Sequence, residues 1–309
     1  MTRPLLTLPV GFSPAVVDKV ERLLEVLAVL REDPVLGDAF VLHGGTALNL
    51  FHDRAPRLSV DIDLMFVGEV DLEAVRRVRP DVDNRLREVI GALGYVVQAT
   101  NAEHSGQTYR IKYPGDYVKI DISYLARVAM LPPELRACDF ADPSQPFPVL
   151  ALPELAAGKV KAMMERVASR DIFDLYRLAL RAPNLFADPL SRALAVRAVG
   201  ASDPFPFVID PTAALERFQN PSSDITGMLY ATLRADDIVD WNEMLRAVAG
   251  WLAPLGTLED HEAEFVERLR NSADYQPVTL FSRWPDVAER AAIDPVMAWK
   301  VQNLRTLLE

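Results

Sequence analysis

Residues 40–66 read FVLHGGTALNLFHDRAPRLSVDIDLMF. An apolar run from Phe40 to Leu42 meets His43 and the pair Gly44-Gly45, after which Thr46, Ala47 and Leu48 resume with helix formers. That order predicts strand, tight turn, helix. Glycines at such a turn leave backbone amides unobstructed, and a helix N-terminus beside them suits a phosphate group. Residues 58–67, LSVDIDLMFV, are apolar and alternating, which predicts a second strand. Side chains alternate faces along a strand, so Asp61 and Asp63 project to one side with about 6.6 Å between their Cα atoms. Leu58, Val60, Ile62, Leu64 and Phe66 then take the opposite face and the core, while Ser59 shares the acidic face.

Working outward, Ser13-Pro14 supplies an N-cap and a proline at the first helical position. Val16, Val17, Val20, Leu23, Leu24, Leu27 and Leu30 follow at helical spacing, so a first helix is expected to about Arg31. Residues 71–93 have amphipathic helical spacing, and 95–99 and 107–113 read as strands. After a Pro114-Gly115 turn, YVKIDISY at 117–124 repeats the strand pattern. Its alternation buries Val118, Ile120 and Ile122 and turns Lys119, Asp121 and Ser123 the other way. If this strand neighbours the one bearing Asp61 and Asp63, Asp121 is a third carboxylate in the cluster.

Three clustered carboxylates repel one another unless a cation neutralises them. Hard oxygen donors suit Mg²⁺, or Mn²⁺, held by one or two carboxylates together with substrate phosphates. Such an ion can activate an attacking oxygen and offset the charge that builds on a phosphate undergoing substitution. A D-x-D pair on a strand is often only a solvated face. The order of a strand, Gly-Gly-Thr, a helix, D-x-D and a further acid on another strand favours the site.

Beyond residue 153 the texture changes to amphipathic helical stretches such as LPELAAGKVKAMMERVASRDIFDLYRLAL. Breaks are expected at Pro183, Pro189, Pro204, Pro206, Pro211, Pro221 and Pro254. The proline-rich stretch 131–150 reads as a connector, so the expected division is 1–150 and 151–309. No internal repeat or low-complexity tract occurs.

The chain has 309 residues, half of them apolar, enough to bury a sizeable core. Its one cysteine, Cys138, permits neither an intrachain disulfide nor a thiolate metal cluster. No run of about eighteen apolar residues is present and the N-terminus lacks a signal-peptide pattern, so a soluble cytoplasmic protein with no membrane segment is expected. The net charge of -11 argues against sequence-independent nucleic-acid binding. It is unevenly spread: residues 151–200 carry eight Lys and Arg against five Asp and Glu, whereas 201–309 carry nine against eighteen. Of the histidines only His43, beside the glycine turn, merits attention, since His52, His104 and His261 lack ligand spacing. Tyr95, Tyr109, Tyr113, Trp241 and Trp251 read as core rather than base-stacking platforms.

The order of these motifs over residues 36–125 resembles the nucleotidyltransferase superfamily with the polymerase-β-like core. With HGGTALNLF, RLSVDIDL and GKVKAMMERVASRDIFDLY, the likeness extends over 36–180 to the AbiEii family of nucleotidyltransferase toxins from type IV toxin-antitoxin systems. It implies an α+β fold, a mixed-sheet nucleotidyltransferase core followed by a mainly helical C-terminal domain that completes the nucleotide cleft. It further implies transfer of a nucleoside monophosphate from a nucleoside triphosphate to an RNA acceptor, the 3′ end of tRNA, with a cognate antitoxin as partner. Asp61, Asp63 and Asp121 are then the metal ligands and, with Lys159, the catalytic set. Gly44, Gly45, Thr46, Ser59, Lys159, Arg166, Arg170, Asp171 and Asp174 form the nucleotide-binding set. The family's Lys-containing helix and its Arg-Asp-x-x-Asp segment match at Lys159, Arg166, Arg170, Asp171 and Asp174. On a continuous helix, Lys159, Arg166 and Arg170 would fall within about 40° of one another at 100° per residue and form one cationic edge. The two aspartates could instead orient the arginines. The resemblance also allows Ser59 to be a regulatory phosphorylation point, or simply a polar strand residue, and Arg57 a nucleotide contact or a solvated side chain. Two alternatives stay open: a protein or small-molecule acceptor, and a catalytically silent module that binds nucleotide or antitoxin.

Overall fold

The computed structural model describes residues 3–103, 105–202 and 209–308, so His104 and the expected breaks at Pro204 and Pro206 lie outside the described residues. The chain divides into two compact units, residues 1–151 with 232–236, and residues 152–231 with 237–309. No described helix is long and apolar enough to cross a membrane.

In the first unit, strand β1 (Leu5–Leu6) precedes helix α1 (Pro14–Glu32), which opens with Pro14 at its first position and buries Val20, Leu23, Leu27 and Leu30. Strand β2 (Phe40–His43) runs into a single turn, α2 (Gly44–Thr46), and then a wider π-type helix over Ala47–His52. Strand β3 (Asp61–Phe66) follows, then α3 (Leu72–Gly91), whose N-cap Asp71 accepts a hydrogen bond from the Ala74 amide. Three consecutive strands, β4 (Val96–Ala102), β5 (Gly106–Tyr113) and β6 (Asp116–Ser123), form an antiparallel meander. The short strands β7 (Glu134–Arg136), β8 (Ala141–Asp142) and β9 (Phe147–Val149) complete the unit. β1 and β8 pair apart from the rest, and the other seven make one mixed sheet in the order β4-β5-β6-β3-β2-β9-β7.

This sheet departs from the sequence reading in two places. Residues 131–150 are not a structureless connector: β9 lies parallel to β2 and carries β7 as the edge strand. The prolines that hide this pattern sit between or at the ends of short strands, or at Pro148 within β9, and a proline there removes only one ladder donor. The strand expected from residue 58 begins at Asp61. Just upstream of it the Leu58 amide donates to the Thr232 carbonyl at 2.8 Å. Val60 is consequently half-buried rather than core, and Ser59 is buried at 6% exposure rather than open on the acidic face.

The remaining apolar alternation is realised. Ile62, Leu64, Phe66, Val118, Ile120 and Ile122 are all buried, and at about 25 cal/mol per Å² of apolar surface removed from water they anchor the two strands firmly. Tyr95, Tyr109 and Trp251 are buried as well, in keeping with a packing role.

The second unit is helical: α4 (Leu152–Glu165), α5 (Ser169–Arg181), α6 (Pro189–Gly200), α7 (Pro211–Glu216), α8 (Ser223–Tyr230), α9 (Trp241–Leu252), α10 (Asp260–Ser272), α11 (Pro277–Phe281), α12 (Pro285–Ala292) and α13 (Pro295–Leu308). Proline stands at the first helical position of α6, α7, α11, α12 and α13, so the prolines start helices as often as they end them. The fold as a whole is α+β.

Candidate active site

The acids lie at the centre of the seven-stranded sheet. β3 and β6 are parallel neighbours with Asp63 opposite Asp121 and Asp61 opposite Lys119, while antiparallel β2 sets His43 opposite Asp63. Asp61, Asp63 and Asp121 are each half-buried on the face away from Ile62, Leu64 and Ile120. The conditional placement of Asp121 is thus met by direct pairing of the two strands.

The glycine turn closes on this cluster. Gly44 has φ +71°, and a Cβ built there would stand 2.2 Å from Asp63 Oδ2, so only glycine allows the carboxylate to lie against the backbone. A Cβ on Gly45 would come 2.9 Å from both Arg57 Nη2 and Ser59 Oγ. Arg57, at 2% exposure, is therefore packed beneath the turn rather than solvated. Thr46 Oγ1 donates to the Asp61 carbonyl, and Asn49 Nδ2 donates to the Gly45 carbonyl at 2.8 Å. His52 is buried with Nε2 2.9 Å from the Leu150 carbonyl, joining the end of the π-type helix to the chain after β9. The turn and the acidic strand are thereby locked in register.

Thr108, which the sequence reading passed over, and Lys119, which it placed on the face of Asp121 without a role, complete the cluster. Thr108 on β5 lies opposite Asp121 and its Oγ1 donates to Asp121 Oδ1 at 2.7 Å. Lys119 pairs its ammonium with Asp121 Oδ2. Burial disfavours the Lys119 charge, but the hydrogen bond and field of Asp121, with Asp61 and Asp63 adding to it, hold its pKa above the ordinary lysine value. A cavity of about 370 Å³ opens beside the acids, lined by His43, Asp63, Thr108, Asp121 and Ser123 among others.

These residues fit a hard divalent cation at Asp61 and Asp63: two carboxylates on one strand face, with the Gly44-Gly45 backbone hard against Asp63 where phosphates could approach. The expected three-carboxylate metal set is not realised as it stands. Among the described residues no group of three or more His, Cys, Asp or Glu is arranged to hold a metal ion, and both oxygens of Asp121 are already engaged.

The second family motif has a different character. The helix expected to run from Lys159 through Arg170 is interrupted: α4 ends at Glu165, and α5 begins at Ser169 after Ala168 adopts an extended backbone at φ -136°, ψ 122°. The single cationic edge is therefore not formed. The break lets α5 bring its acids back to Lys159, whose Nζ sits 2.6 Å from Asp174 Oδ2 and 3.1 Å from Asp171 Oδ1. Arg166 Nε reaches Asp171 Oδ2 at 2.8 Å. Lys159, Asp171 and Asp174 are 8%, 1% and 0% exposed, so this is a closed, charge-matched core cluster. Burial pushes the Asp171 carboxyl up, but Lys159 and Arg166 outweigh it and hold it below the usual carboxylate value. The Arg166 side chain is 64% exposed. Arg170 is half-buried and makes no ion pair among the described residues.

Comparison with known proteins identifies the fold and the family. The chain shares its fold with MenT4, a nucleotidyltransferase toxin from Mycobacterium tuberculosis H37Rv, at a TM-score of 0.61 and 21% identity, over 95% of this chain and 93% of that one. It also matches a structure titled as a candidate nucleotidyltransferase from H. pylori, with a TM-score of 0.50 and 16% identity over 79% of this chain and 96% of the other. The fold is that of the nucleotidyltransferases. A family model described as nucleotidyl transferase AbiEii toxin, type IV TA system, matches residues 26–250, and the chain belongs to that family. No match was found among curated proteins.

Proposed function

We propose that this nucleotidyltransferase moves a nucleoside monophosphate from a nucleoside triphosphate to an RNA acceptor, the 3′ end of tRNA, and so arrests translation until a cognate antitoxin restrains it. The observation that carries the reading is the in-register placement of Asp61, Asp63 and Asp121 beside a Gly-Gly turn whose φ and close approach to Asp63 exclude any side chain. A catalytically silent module would have no use for a charge-rich cluster kept half-exposed.

In this reading Asp61 and Asp63 hold Mg²⁺ or Mn²⁺, which would supply Lewis-acid stabilisation of the charge developing on the transferred phosphate. The Gly44 and Gly45 backbone, with Thr46 fixing it to Asp61, cradles the phosphates. Ser59 and Arg57 support that cradle from below. Asp121, with the cavity beside it, faces the acceptor hydroxyl. In the helical unit, the exposed Arg166 pairs with Asp171, and Lys159 acts through Asp171 and Asp174, which it holds in place. An acidic chain of net charge -11 binds a particular RNA end more readily than RNA in general. We infer a cytoplasmic location from the nature of the substrates.

The test is incubation of purified protein with Mg²⁺, tRNA and each α-labelled nucleoside triphosphate in turn, beside Asp61→Ala/Asp63→Ala. Label entering tRNA only with the intact protein is expected. Label entering protein instead would move the acceptor to a protein side chain, and equal labelling by the double variant would overturn the role of the acids.

A further inference from the structure

One row of residues crosses the sheet through the acids, from His43 on β2 through Asp63 on β3 and Asp121 on β6 to Thr108 on β5. Beyond it, on β5, the character of the face changes sign. Arg110 stands directly opposite Lys119, and Lys112 directly opposite Tyr117. Tyr109 and Ile111, which alternate with them, are fully buried, so Arg110 and Lys112 project to the face that carries Asp121, and both are exposed. Their neighbours on the edge strand β4 are the neutral Gln98 and Val96. Among the described residues of β4, β5 and β6, Asp121 is the only acid on this face, and its carboxylate is paired with Lys119.

Cations set directly across a strand pair repel each other, and neither Arg110 nor Lys112 has an ion-pair partner among the described residues to offset this. Arg110 lies instead over the Tyr117 ring, 5.0 Å from its centre, which steadies the guanidinium on the face. In a chain of net charge -11 this is a local field suited to an anion. At about 4.8 Å per strand, β5 lies about 14 Å across the sheet from β2, the strand that leads into the Gly44-Gly45 turn. A nucleoside triphosphate with its phosphates at that turn has no further charge for Arg110 and Lys112 to meet. A polynucleotide does, because it carries one at every linkage. Steps of two residues along β5 put Arg110 and Lys112 about 7 and 14 Å from the row of Thr108 and Asp121, a repeated spacing on which successive phosphates of one strand can be held.

We propose that the open face of β4, β5 and β6 is the track for the acceptor, a single-stranded polynucleotide end whose last hydroxyl lies at Asp121 and whose preceding phosphates lie on Arg110 and Lys112. This rests on the reading of the site as a transferase acting on RNA, and it assigns that RNA a surface. Donor and acceptor then approach the acids from opposite sides of one sheet, the donor from the glycine turn beyond β2 and the acceptor from β5. The contacts are to the backbone, so they position the strand without reading its sequence.

The experiment measures binding of fluorescent tRNA by anisotropy, over a range of salt, to three full-length proteins whose folding is checked by circular dichroism and thermal melting. They are wild type, Arg110→Gln/Lys112→Gln, and the control Arg246→Gln/Arg283→Gln, which removes two exposed cations of the helical unit for the same change in net charge. Arg110→Gln/Lys112→Gln should bind tRNA about tenfold more weakly or worse, and its log Kd should depend on log salt with a slope smaller by about 1.4, two lost contacts at about 0.7 each for a single strand. In labelling assays its KM for tRNA should rise with KM for the nucleoside triphosphate unchanged, since contacts remote from the reacting atoms hold ground and transition states alike. Wild type without measurable tRNA binding, wild-type affinity and slope in Arg110→Gln/Lys112→Gln, or equal weakening in the control would each overturn the track. A raised KM for the nucleoside triphosphate with tRNA binding unmoved would give the two cations to the donor and overturn it as well. The two readings fail separately. Binding that depends on Arg110 and Lys112 without any transfer to tRNA overturns the acceptor reading and leaves the track standing, whereas transfer with the same KM for tRNA in wild type and variant does the reverse.

Discussion

Two charged clusters, one in each unit, use the same kinds of residue to opposite ends. In the sheet unit, Asp61, Asp63 and Asp121 share the field of Lys119, which pairs with Asp121, and the acids stay half-buried, with Asp63 and Asp121 lining a cavity. In the helical unit, Asp171 and Asp174 face Lys159 and Arg166, the charges balance, and both acids are fully buried. An unbalanced, accessible cluster attracts a charged ligand, while a balanced, dry one has its interactions completed within the protein. The difference teaches that the same residue types are kept accessible in one unit and closed off in the other by burial and ion pairing.

The largest expected effect tests the open cluster. Asp63→Ala should lower tRNA labelling on the order of 10³-fold, the scale of losing a charge-stabilising group in a transition state, while the thermal midpoint barely moves. A midpoint that collapsed with the activity would make the two clusters alike and break the comparison. Next, Lys159→Met should remove the ammonium shared by two buried carboxylates and destabilise the helical unit by about 3 kcal/mol, the scale for breaking a buried pair. Urea denaturation measures this, and an unchanged midpoint accompanied by lost activity would move Lys159 from scaffold to direct substrate contact.

A smaller effect is expected at the turn. Gly44→Ala places a side chain at φ +71° against Asp63, at a strain of about 1–2 kcal/mol. Labelling should fall more steeply than stability because the displaced group is an acid of the site, and equal, mild losses in both would show that the cradle tolerates rearrangement. The smallest effect is the pH response of the closed cluster. Asp171 has a folded pKa below its ordinary value of 3.8. Its contribution is therefore present above that value and is lost as pH falls through the lower, folded one. Comparing urea midpoints between pH 5 and 2.5, Asp171→Asn should show a shallower acid-side decline than wild type. Parallel declines would mean that other carboxylates carry the acid sensitivity.

Much of the sheet unit was legible because its signals are local. The alternation in DIDL and VKIDIS marked which side chains are core, and Gly44-Gly45 between an apolar run and helix formers marked a turn whose first glycine has a positive φ. The short strands β7 and β9 were not legible, since three residues flanked by prolines carry no period to read and are strands only through partners elsewhere in the chain. Thr108 likewise has no signal in its own segment; it matters because its position in β5 falls opposite Asp121. The break between α4 and α5 was hidden because GKVKAMMERVASRDIF keeps helical composition throughout. The ion pairs from Lys159 to Asp171 and Asp174 join the two helices across the break.

The sequence by itself determined the strand–turn–helix–strand order around the acids, the acids that share a strand face and the family, because each of these is written in spacing along the chain. Only the tertiary structure decided that Asp121 is engaged by Thr108 and Lys119, that Arg57 and Ser59 are buried beneath the turn, and that Lys159 belongs to a dry, balanced core. Those outcomes depend on which backbones become neighbours and how much water they exclude, and no one-dimensional pattern carries either quantity.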